Sequence, residues 1–370
     1  MINWTLLREE HLGKTEVIYL NSPANGLISS KNIAYEYAET EKYLANPGKY
    51  RLDFMLETMP AIKQQLACII NAKSTDIALV QNFSIGINFF VSALPKNTKV
   101  LLIEDDYPSL ILPFKVNELE ICWSKFEKDK TLDLIKLENL IKTEKPNIFA
   151  ISHCQWLTGY LADLQSIGAI CQKYNCFFFV DATQSFGATE INVKKCNIAI
   201  LGASCYKWAL AGFGNGFMYF NQEVLENYPP KTAGFGSYTW ENGQPKYLPS
   251  IKSFEPGHHD HAAFHRLHFA LERVTSIGLD SIKAKIEELM DYLIDSLNKH
   301  PIEIVGDFYN ENRLGIISIQ SNQSLFKKLI NSNIEVSERG GNVRLGVHYY
   351  NNNQDIDALL GVLQKEFNLN

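Results

Sequence analysis

A short apolar run that ends in an acidic residue is the feature that most constrains this chain. Residues 177–180 read FFFV, and Asp181 follows at once. A short run without polar alternation is typical of a strand buried on both faces of a parallel sheet. A carboxylate at the carboxyl end of such a strand lies where open α/β sheets bind ligands. We therefore expect a parallel sheet with a ligand site at one edge.

A second apolar run brings a lysine to the same edge. Residues 198–202 read IAILG, and the chain continues through Ser204 and Tyr206 to Lys207. A third apolar run, residues 217–220, follows three closely spaced glycines. Because the carboxyl ends of parallel strands meet at one edge, Asp181 and Lys207 are expected to lie close together.

Strand and helix patterns alternate from residue 77 to residue 220. Further buried-strand candidates cover residues 77–81, 99–103 and 147–152, and helical patterns cover residues 131–142 and 163–174. This alternation predicts a mostly parallel sheet covered by helices on both faces. Another helical pattern, residues 53–72, contains Pro60, which predicts a kink or a break.

Composition excludes several classes of partner. The 370 residues carry a net charge of −6 without a long basic run, so nothing favours nucleic acid or an anionic membrane. The first residues lack a signal-peptide core, and no apolar run reaches the length of a membrane span. Seven cysteines without paired or metal-like spacing indicate free thiols and a cytoplasmic location. The cluster His258, His259, Asp260 and His261 lacks a helical i, i+4 histidine pair with a distant carboxylate, so no metal is expected.

The two strand-end motifs resemble those of a known family. Residues 180–184 (VDATQ) followed by residues 204–208 (SCYKW) resemble the signature of the class V aminotransferases. These are fold-type I pyridoxal phosphate enzymes and include cysteine desulfurases, kynureninases and isopenicillin N epimerase-like proteins. The resemblance implies that Lys207 forms the Schiff base with the cofactor and that Asp181 keeps the ring nitrogen protonated. Either residue alone could be structural, but the ordered pair favours the cofactor site.

The resemblance also implies the architecture. It predicts an α/β fold of type I, with a large domain built on a mostly parallel sheet of the seven-stranded type and a small C-terminal α+β domain. The expected division is an N-terminal arm over residues 1–20, a large cofactor-binding domain over 21–257 and a small domain over 258–370. Residues 261–277 carry a strong helical pattern, and this first helix of the small domain is compatible with packing on the large one. Strands are expected near Ile302 and Leu314, and helices near Ser324 and Asp355.

Three positions match the family's contacts with the cofactor phosphate and ring. Ser84 and the backbone of Ile85 follow a strand and open a helix, where free N–H groups and the helix dipole attract an anion. Ser84 could also cap that helix. Tyr107 falls where the family places a ring that stacks on the pyridine, a role that suits a rigid aromatic side chain.

Further contacts follow from the same motifs, with two departures from the family. Relatives often carry Asn where this chain has Trp156, so contact with the cofactor hydroxyl passes to Gln155 or is shared with Gln184. His258 replaces a Thr in a segment that reaches the cofactor phosphate of the partner subunit. The complete set of expected cofactor contacts is Ser84, Ile85, Tyr107, Gln155, Trp156, Asp181, Gln184, Ser204, Tyr206, Lys207 and His258.

Three residues match the family's substrate contacts. Ala24 and Asn25 lie in a turn-rich loop that covers the active site in relatives, although a plain Asn-Gly turn explains the loop equally well. Arg344 falls where an arginine grips the substrate carboxylate, which its planar fork can bind through two parallel hydrogen bonds.

The resemblance implies an enzyme that acts on an amino acid, as a homodimer with shared active sites. Transamination by a class V aminotransferase is the first expectation. The alternative is a lyase that breaks the Cβ–S or Cβ–Se bond of cysteine-like or selenocysteine-like substrates without a persulfide-relay cysteine, because no Cys lies between His258 and Arg344. A non-catalytic binding module is the third possibility, and the presence of Lys207, Asp181 and Arg344 argues against it.

Overall fold

Strands and helices alternate along most of the chain. The computed structural model describes residues 2–308, 310–321 and 323–367. Its helices are α1 (Trp4–Leu12), α2 (Ser30–Ala45), α3 (Pro47–Asp53), α4 (Met59–Ile70), α5 (Phe83–Ala93), α6 (Pro108–Val116), α7 (Leu134–Glu144), α8 (Leu164–Lys173), α9 (Gln222–Asn227), α10 (His261–Ile277), α11 (Leu279–Leu297), α12 (Gln323–Asn331) and α13 (Asn353–Phe367). Its strands are β1 (Ile18–Tyr19), β2 (Ile77–Val80), β3 (Lys99–Ile103), β4 (Glu120–Ser124), β5 (Ile148–Ser152), β6 (Phe177–Asp181), β7 (Ile198–Ser204), β8 (Gly216–Phe220), β9 (Tyr238–Glu241), β10 (Gln244–Tyr247), β11 (Ile316–Gln320), β12 (Ile334–Glu335), β13 (Ser337–Arg339) and β14 (Asn342–Gly346).

A seven-stranded sheet forms the centre of the fold. Its strand order is β2-β8-β7-β6-β5-β3-β4, and only β8 runs against the others. The prediction of a mostly parallel sheet is therefore confirmed. The carboxyl ends of β3, β5, β6 and β7 lie along one edge, so the residues that follow these strands meet there.

The strand at residues 177–181 is buried on both faces, as its composition predicts. Phe178 and Val180 pack into the apolar cluster on one face of the sheet, whereas Phe179 packs into the cluster on the other face. Helices α4 and α8 contribute to the first cluster, and α5 and α6 contribute to the second. Because both faces are covered, the free edge at the strand ends is where a ligand can reach the sheet.

The C-terminal part is built on an antiparallel sheet of order β11-β14-β13. Helices α11, α12 and α13 pack with this sheet in a third apolar cluster. The expected strand near Ile302 is wrong, because only Ile304 forms a single bridge, to Ile319 of β11. Helix α10, the first helix expected in the small domain, packs against α2 and α4, which precede the central sheet in the chain. The division into domains stays a prediction.

The N-terminal segment contains helix α1, which packs on the C-terminal part of the chain. Leu7 and Leu12 of α1 are buried in the C-terminal cluster. Arg8 donates to both carboxylate oxygens of Asp355, at 2.7 and 2.8 Å, and also to the carbonyl of Tyr350. This bidentate pair attaches α1 to α13, so the first turn of α13 is held by the start of the chain.

The helical pattern that contains Pro60 is interrupted by a π-helical turn, and the chain of helical residues is not broken. Residues 54–58 form a π-helical turn between α3 and α4, and Pro60 lies in the first turn of α4. Proline has no backbone N–H and clashes with the preceding turn, so regular α-helical bonding cannot continue through it.

The region after residue 220 contains two elements that the sequence patterns did not predict. Helix α9 and the hairpin β9–β10 lie there. Asn242 and Gly243 join the two strands with φ angles of 52° and 77°. Both values are positive, as a two-residue type I′ turn requires. The Asn-Gly pair was the signal that could have identified the hairpin.

Candidate active site

The strand ends bring together the residues that the sequence singled out. Tyr107 follows β3, Asp181 ends β6 and Lys207 follows β7. The Lys207 Nζ atom lies 5.4 Å from the centre of the Tyr107 ring and 5.7 Å from that of Tyr206. Lys207 is 5% exposed and Asp181 is 4% exposed, so both ionisable groups lie in a largely dry environment.

Burial sets the acidity of both groups. It lowers the pKa of Lys207 to about 8, against the opposing attraction of Asp181. Burial also raises the pKa of Asp181 to about 6, although hydrogen bonds from Thr183 oppose the rise. Among the described residues no carboxylate forms an ion pair with Lys207. The site therefore holds an amine that loses its proton more readily than an exposed lysine does, as a nucleophilic lysine requires.

Two neighbouring groups fix the Asp181 carboxylate and the lysine strand relative to each other. The Thr183 N–H donates to Asp181 Oδ1 at 2.8 Å, and the Thr183 hydroxyl accepts the N–H of Ser204 at 3.2 Å. Residue 183 was not among the expected site residues. A hydroxyl two positions after a strand-end carboxylate can bond back to the strand region, and that spacing was the available signal.

The start of α5 lies against the lysine strand. The hydroxyl of Ser204 accepts the N–H of Phe83 at 2.9 Å. The expectation that Ser84 caps α5 is wrong: Asn82 is the cap, and its side chain accepts the N–H of Ile85 at 3.0 Å. Asn competes well for the cap position and here precedes Ser84 in the chain. The Ser84 hydroxyl forms no hydrogen bond within the described parts of the chain and is available to a ligand.

The loop of Ala24 and Asn25 is pressed against the lysine segment. The N–H of Gly26 donates to the Tyr206 carbonyl at 2.8 Å, and the hydroxyl of Tyr19 donates to the Asn25 carbonyl at 2.6 Å. A Cβ atom at Gly26 would collide with the Lys207 carbonyl, so only glycine allows this approach. The structure thus places the expected substrate loop beside Lys207.

The two glutamines of the expected site are engaged by the protein. Gln184 accepts the indole N–H of Trp208 at 2.8 Å and donates to the Pro23 carbonyl at 3.0 Å. The side-chain oxygen of Gln155 accepts the backbone N–H groups of residues 157 and 158, both at 2.7 Å. Both side chains therefore hold loops in place, and their contacts with the cofactor stay predictions.

Arg344 is a buried cation without an anionic partner. It is 3% exposed, donates from Nη1 to the Trp156 carbonyl at 2.8 Å and lies 3.3 Å through Nε from the Ser337 hydroxyl. Burial, followed by the nearby charge of Arg339, lowers the pKa of Arg344 to about 10. No carboxylate pairs with it in the described part of the chain. An uncompensated buried guanidinium is a strong site for a carboxylate ligand.

Trp156 connects this arginine to the ring of Tyr107. The two aromatic rings meet edge to face with centres 5.9 Å apart, and the Trp156 N–H points to the Asp105 carbonyl at 3.4 Å. The indole N–H is therefore occupied by the protein. Asp106, which was not expected at the site, accepts the N–H groups of Tyr107 and Ser152 at 2.6 and 2.8 Å. It fixes the turn that presents the Tyr107 ring.

His258 does not join the cluster of its own chain. It lines a separate cavity of about 470 Å³ with Phe54, Met59 and Phe235, and its ring stacks on that of Phe235 at 6.0 Å. The loop that carries it packs beside the segment that precedes β9, where Phe235 is 65% exposed, and Trp240 of β9 is 66% exposed.

The described residues contain no group of three side chains that could hold a metal. His261 and His265 do lie one helical turn apart on α10, a spacing that the sequence analysis overlooked, and His265 is 3.9 Å from Glu39. The ring of His261 instead stacks on Phe54 at 3.8 Å. No described helix is both long enough and apolar enough to cross a bilayer.

Known proteins resemble this chain over most of its length. The family described as "Aminotransferase class-V" matches residues 18–359. A probable cysteine desulfurase of Pyrococcus abyssi is 25% identical over 95% of this chain and 94% of its own. The cysteine desulfurase of Thermococcus onnurineus NA1 has a TM-score of 0.90 at 22% identity and covers 100% of this chain and 99% of its own. The cystine C–S lyase C-DES, solved with its product cysteine persulfide, has a TM-score of 0.86 at 20% identity and covers 95% of this chain and 98% of its own.

These findings confirm the predicted fold, cofactor and enzyme class. The fold is that of the fold-type I enzymes, and pyridoxal phosphate is the cofactor. The chain belongs to the class-V aminotransferases, a family of pyridoxal phosphate-dependent enzymes that act on amino acids.

Proposed function

We propose that this protein is a lyase that breaks the Cβ–S or Cβ–Se bond of a cysteine-like or selenocysteine-like amino acid by β-elimination. The names of its relatives, a C–S lyase and cysteine desulfurases, support sulfur chemistry at the substrate side chain. The observation that carries the choice of a lyase over a persulfide-relay desulfurase is the burial of Cys154 and Cys205, the thiols beside the lysine site. Transamination, our first expectation from the sequence, is the principal competing outcome.

A persulfide relay needs an accessible thiolate at the site. Cys154 and Cys205 are both fully buried. Burial raises the pKa of Cys154 to about 12, and it raises that of Cys205 well above its usual range. A thiol held protonated is neither a good nucleophile nor free to carry sulfur away. Cys68 and Cys196, which are more accessible, lie near the amino ends of the strands, away from Lys207.

The residues at the strand ends suit pyridoxal phosphate. The unpaired amine of Lys207 is available to hold the aldehyde carbon covalently, and the ring of Tyr107 offers a stacking face. The Asp181 carboxylate would accept a hydrogen bond from the protonated ring nitrogen and so keep it protonated, which makes the ring a better electron sink. The hydroxyls of Ser84 and Ser204 would bind the phosphate at the start of α5, together with Tyr206. Ala24 and Asn25 would cover the substrate.

Arg344 and Lys207 have separate roles in the reaction: Arg344 binds the substrate and Lys207 moves a proton. Arg344 binds the α-carboxylate and so fixes the amino acid with its Cα–H toward Lys207. Lys207 then removes the α-proton as general base, a task that its lowered pKa favours. The bound cofactor supplies the electron sink for the charge that develops at Cα. No thiol of the protein takes part.

The net reaction is balanced without an external oxidant or reductant. The Cα–H and Cβ–S bonds break, and sulfur leaves with the bonding electron pair as a thiolate, which takes up a proton. One water then hydrolyses the remaining three-carbon fragment. A cysteine thioether plus water therefore gives pyruvate, ammonia and the free thiol.

The active unit in this proposal is a homodimer in the cytoplasm. The His258 loop lines a cavity that Lys207 does not border, and the nearby side chains of Phe235 and Trp240 are exposed, which supports an interface there. His258 would donate a hydrogen bond to the cofactor phosphate of the partner subunit. The cytoplasmic location is supported by seven free cysteines.

The product balance tests the proposal. Holoenzyme is incubated with cysteine, selenocysteine and S-methylcysteine, and pyruvate, ammonia and thiol or selenide are measured separately. A lyase gives the three products in equal amounts. Alanine together with enzyme-bound persulfide would instead indicate desulfuration by relay, and keto acid without ammonia would indicate transamination.

A triple variant tests the role of the thiols directly. Cys68→Ser, Cys122→Ser and Cys196→Ser together remove every cysteine that is not fully or nearly buried. The proposal expects the rate of thiol release to stay within about twofold of the unsubstituted enzyme, because these changes leave the site untouched. Formation of alanine and release of sulfide by the unsubstituted enzyme, both lost in the triple variant, would show that a relay operates.

A further inference from the structure

Two cysteines meet at the turn that joins α8 to β6. The N–H of Cys176 donates to the Cys171 carbonyl at 2.9 Å, and the N–H of Asn175 donates to the Gln172 carbonyl at 3.3 Å. Asn175 has a positive φ angle of 53°. These two bonds and this angle form a Schellman turn, in which the side chains of the residues joined by the outer bond pack against each other. Here both of those side chains are thiols.

The two thiols are in contact in the folded protein. A hydrogen bond with the Cys176 thiol, followed by burial, raises the pKa of Cys171 well above its usual range. The 2.9 Å bond between the backbones also keeps the two Cα atoms within about 7 Å of each other. Disulfides join cysteines whose Cα atoms lie about 4.4–6.8 Å apart. The turn therefore holds the two sulfurs where a bond between them can form without unfolding.

A cavity gives a small oxidant access to one of the two thiols. It has a volume of about 410 Å³, and Cys176 lines it together with Lys194 and Tyr219. The cavity lies at the amino ends of β6 and β7, at the edge of the sheet opposite Lys207. Cys171 is fully buried in the apolar cluster that α8 shares with the sheet. An oxidant therefore reaches Cys176 first, and Cys171 completes the bond.

We propose that Cys171 and Cys176 form a reversible redox site that becomes a disulfide in the presence of a hydroperoxide. The hydroperoxide first converts the Cys176 thiol into a sulfenic acid, and its own O–O bond breaks. The Cys171 sulfur then attacks the Cys176 sulfur, so that the S–S bond forms, the S–O bond breaks and water leaves. The two thiols lose two electrons and two protons in total, and the hydroperoxide takes them up. A dithiol reductant reverses the change by exchange.

The disulfide would fasten the last turn of α8 to the start of β6, the strand that ends at Asp181. Hydrogen bonds already close this turn in the reduced protein, so the new bond restricts the unfolded chain more than the folded one. We therefore expect the oxidised protein to unfold at a higher urea concentration than the reduced protein. The inference goes beyond the proposed function and does not depend on it, because the two thiols lie at the opposite edge of the sheet from Lys207.

Peptide mapping tests the pair directly. The holoenzyme is treated with hydrogen peroxide, its remaining thiols are alkylated, and the protein is digested with trypsin. Cleavage after Lys173 separates the two cysteines, so their disulfide appears as two linked peptides. We expect these linked peptides in the oxidised protein and their loss after treatment with dithiothreitol. A link from either cysteine to Cys196, whose backbone packs against Gly168 of α8, would overturn the inference.

The triple variant Cys68→Ser/Cys122→Ser/Cys196→Ser is the control for the more accessible thiols. It removes three of the seven cysteines and leaves four, of which two should remain as free thiols after oxidation. Its urea midpoint should rise on oxidation and return on reduction. Adding Cys176→Ala, which keeps a small apolar side chain at the turn, should abolish both the linked peptides and the shift in midpoint.

Three further results would overturn the inference. Four free thiols in the peroxide-treated triple variant would show that the pair does not react. Linked peptides that form only when the protein is oxidised in urea would show that the folded turn keeps the sulfurs apart. A lower urea midpoint in the oxidised protein would show that the native turn does not accommodate the disulfide.

Discussion

The indole N–H of Trp208 donates a 2.8 Å hydrogen bond to the side-chain carbonyl of Gln184. This contact joins the residue that follows Lys207 to the segment that follows Asp181. Trp208 also stacks on His348 with ring centres 5.3 Å apart, and the His348 ring nitrogen contacts the Trp208 carbonyl at 3.1 Å. The lysine segment is thus held from both the central sheet and the C-terminal part.

Replacing Trp208 should weaken the fold. In Trp208→Phe the carbonyl of Gln184 loses its donor in a buried position, and the smaller ring leaves space. We expect the free energy of unfolding to fall by about 2–4 kcal/mol, measured by urea denaturation. Trp123→Phe is the control, because the half-exposed Trp123 lies on the edge strand β4. Its effect should be about 1 kcal/mol or less, and equal losses in the two variants would contradict the assigned hydrogen bond.

The buried amine of Lys207 should lower the free energy of unfolding of the cofactor-free protein. The pKa of Lys207 is about 8 in the folded state, below the ordinary value of 10.5. Between these two pH values the unfolded state therefore binds more protons at this lysine than the folded state does. The penalty is full below pH 8 and disappears as the pH rises past 10.5. Lys207→Met should therefore stabilise the apoprotein by about 2–3 kcal/mol at pH 7.

The same variant should gain less at higher pH. Urea denaturation of the apoprotein at pH 7 and at pH 10 measures the difference, with Lys195→Met as the control for an exposed lysine. A gain that is equal at both pH values would show that the Lys207 amine is not charged and buried at neutral pH.

Arg344→Lys should weaken amino-acid binding while the cofactor stays bound. Lysine keeps the charge but loses the planar fork, and the loss of one charge-assisted contact costs about 1.5–3 kcal/mol. KM should therefore rise about 10- to 150-fold, with the visible absorbance of the cofactor unchanged. Arg51→Lys, at an exposed position of α3, serves as control. Loss of the cofactor absorbance in Arg344→Lys would place the residue at the cofactor instead of the substrate.

Shared active sites predict complementation between two inactive chains. In a mixed dimer of Lys207→Ala and His258→Ala chains, one site would contain both an intact Lys207 and the partner subunit's His258. Activity should return on mixing, up to one good site for each mixed dimer. The control is a circular dichroism spectrum of each variant, which shows that both are folded. Sedimentation of a fully active monomer would exclude the shared site.

The sequence predicted the central sheet because strong local signals agreed with the tertiary contacts. The run at residues 177–180 is apolar at every position, and β6 is indeed covered on both faces. Helix α10 begins at His261 and ends at Ile277, as its pattern predicts, because Asp260 caps one end and Gly278 follows the other. These boundaries depend on neighbouring residues in the chain.

Contacts between distant segments could not be predicted from the sequence in the same way. Gln184 looks like a cofactor ligand beside Asp181, yet its amide is used by Trp208 and Pro23, and the latter is 161 residues away. Asn82 and Ser84 are both good caps, and only the path of the chain decides between them. The hydrogen bond from Arg344 to the Trp156 carbonyl joins segments 188 residues apart, which no local pattern encodes.

The attachment of the cofactor to Lys207 is the central claim, and borohydride labelling tests it most directly. The holoenzyme is reduced, digested and mapped by mass spectrometry, with Lys207→Ala as the control. The account predicts one labelled peptide, with the reduced pyridoxyl group on Lys207, and no label in the variant. A label on any other lysine would contradict the assignment of the site.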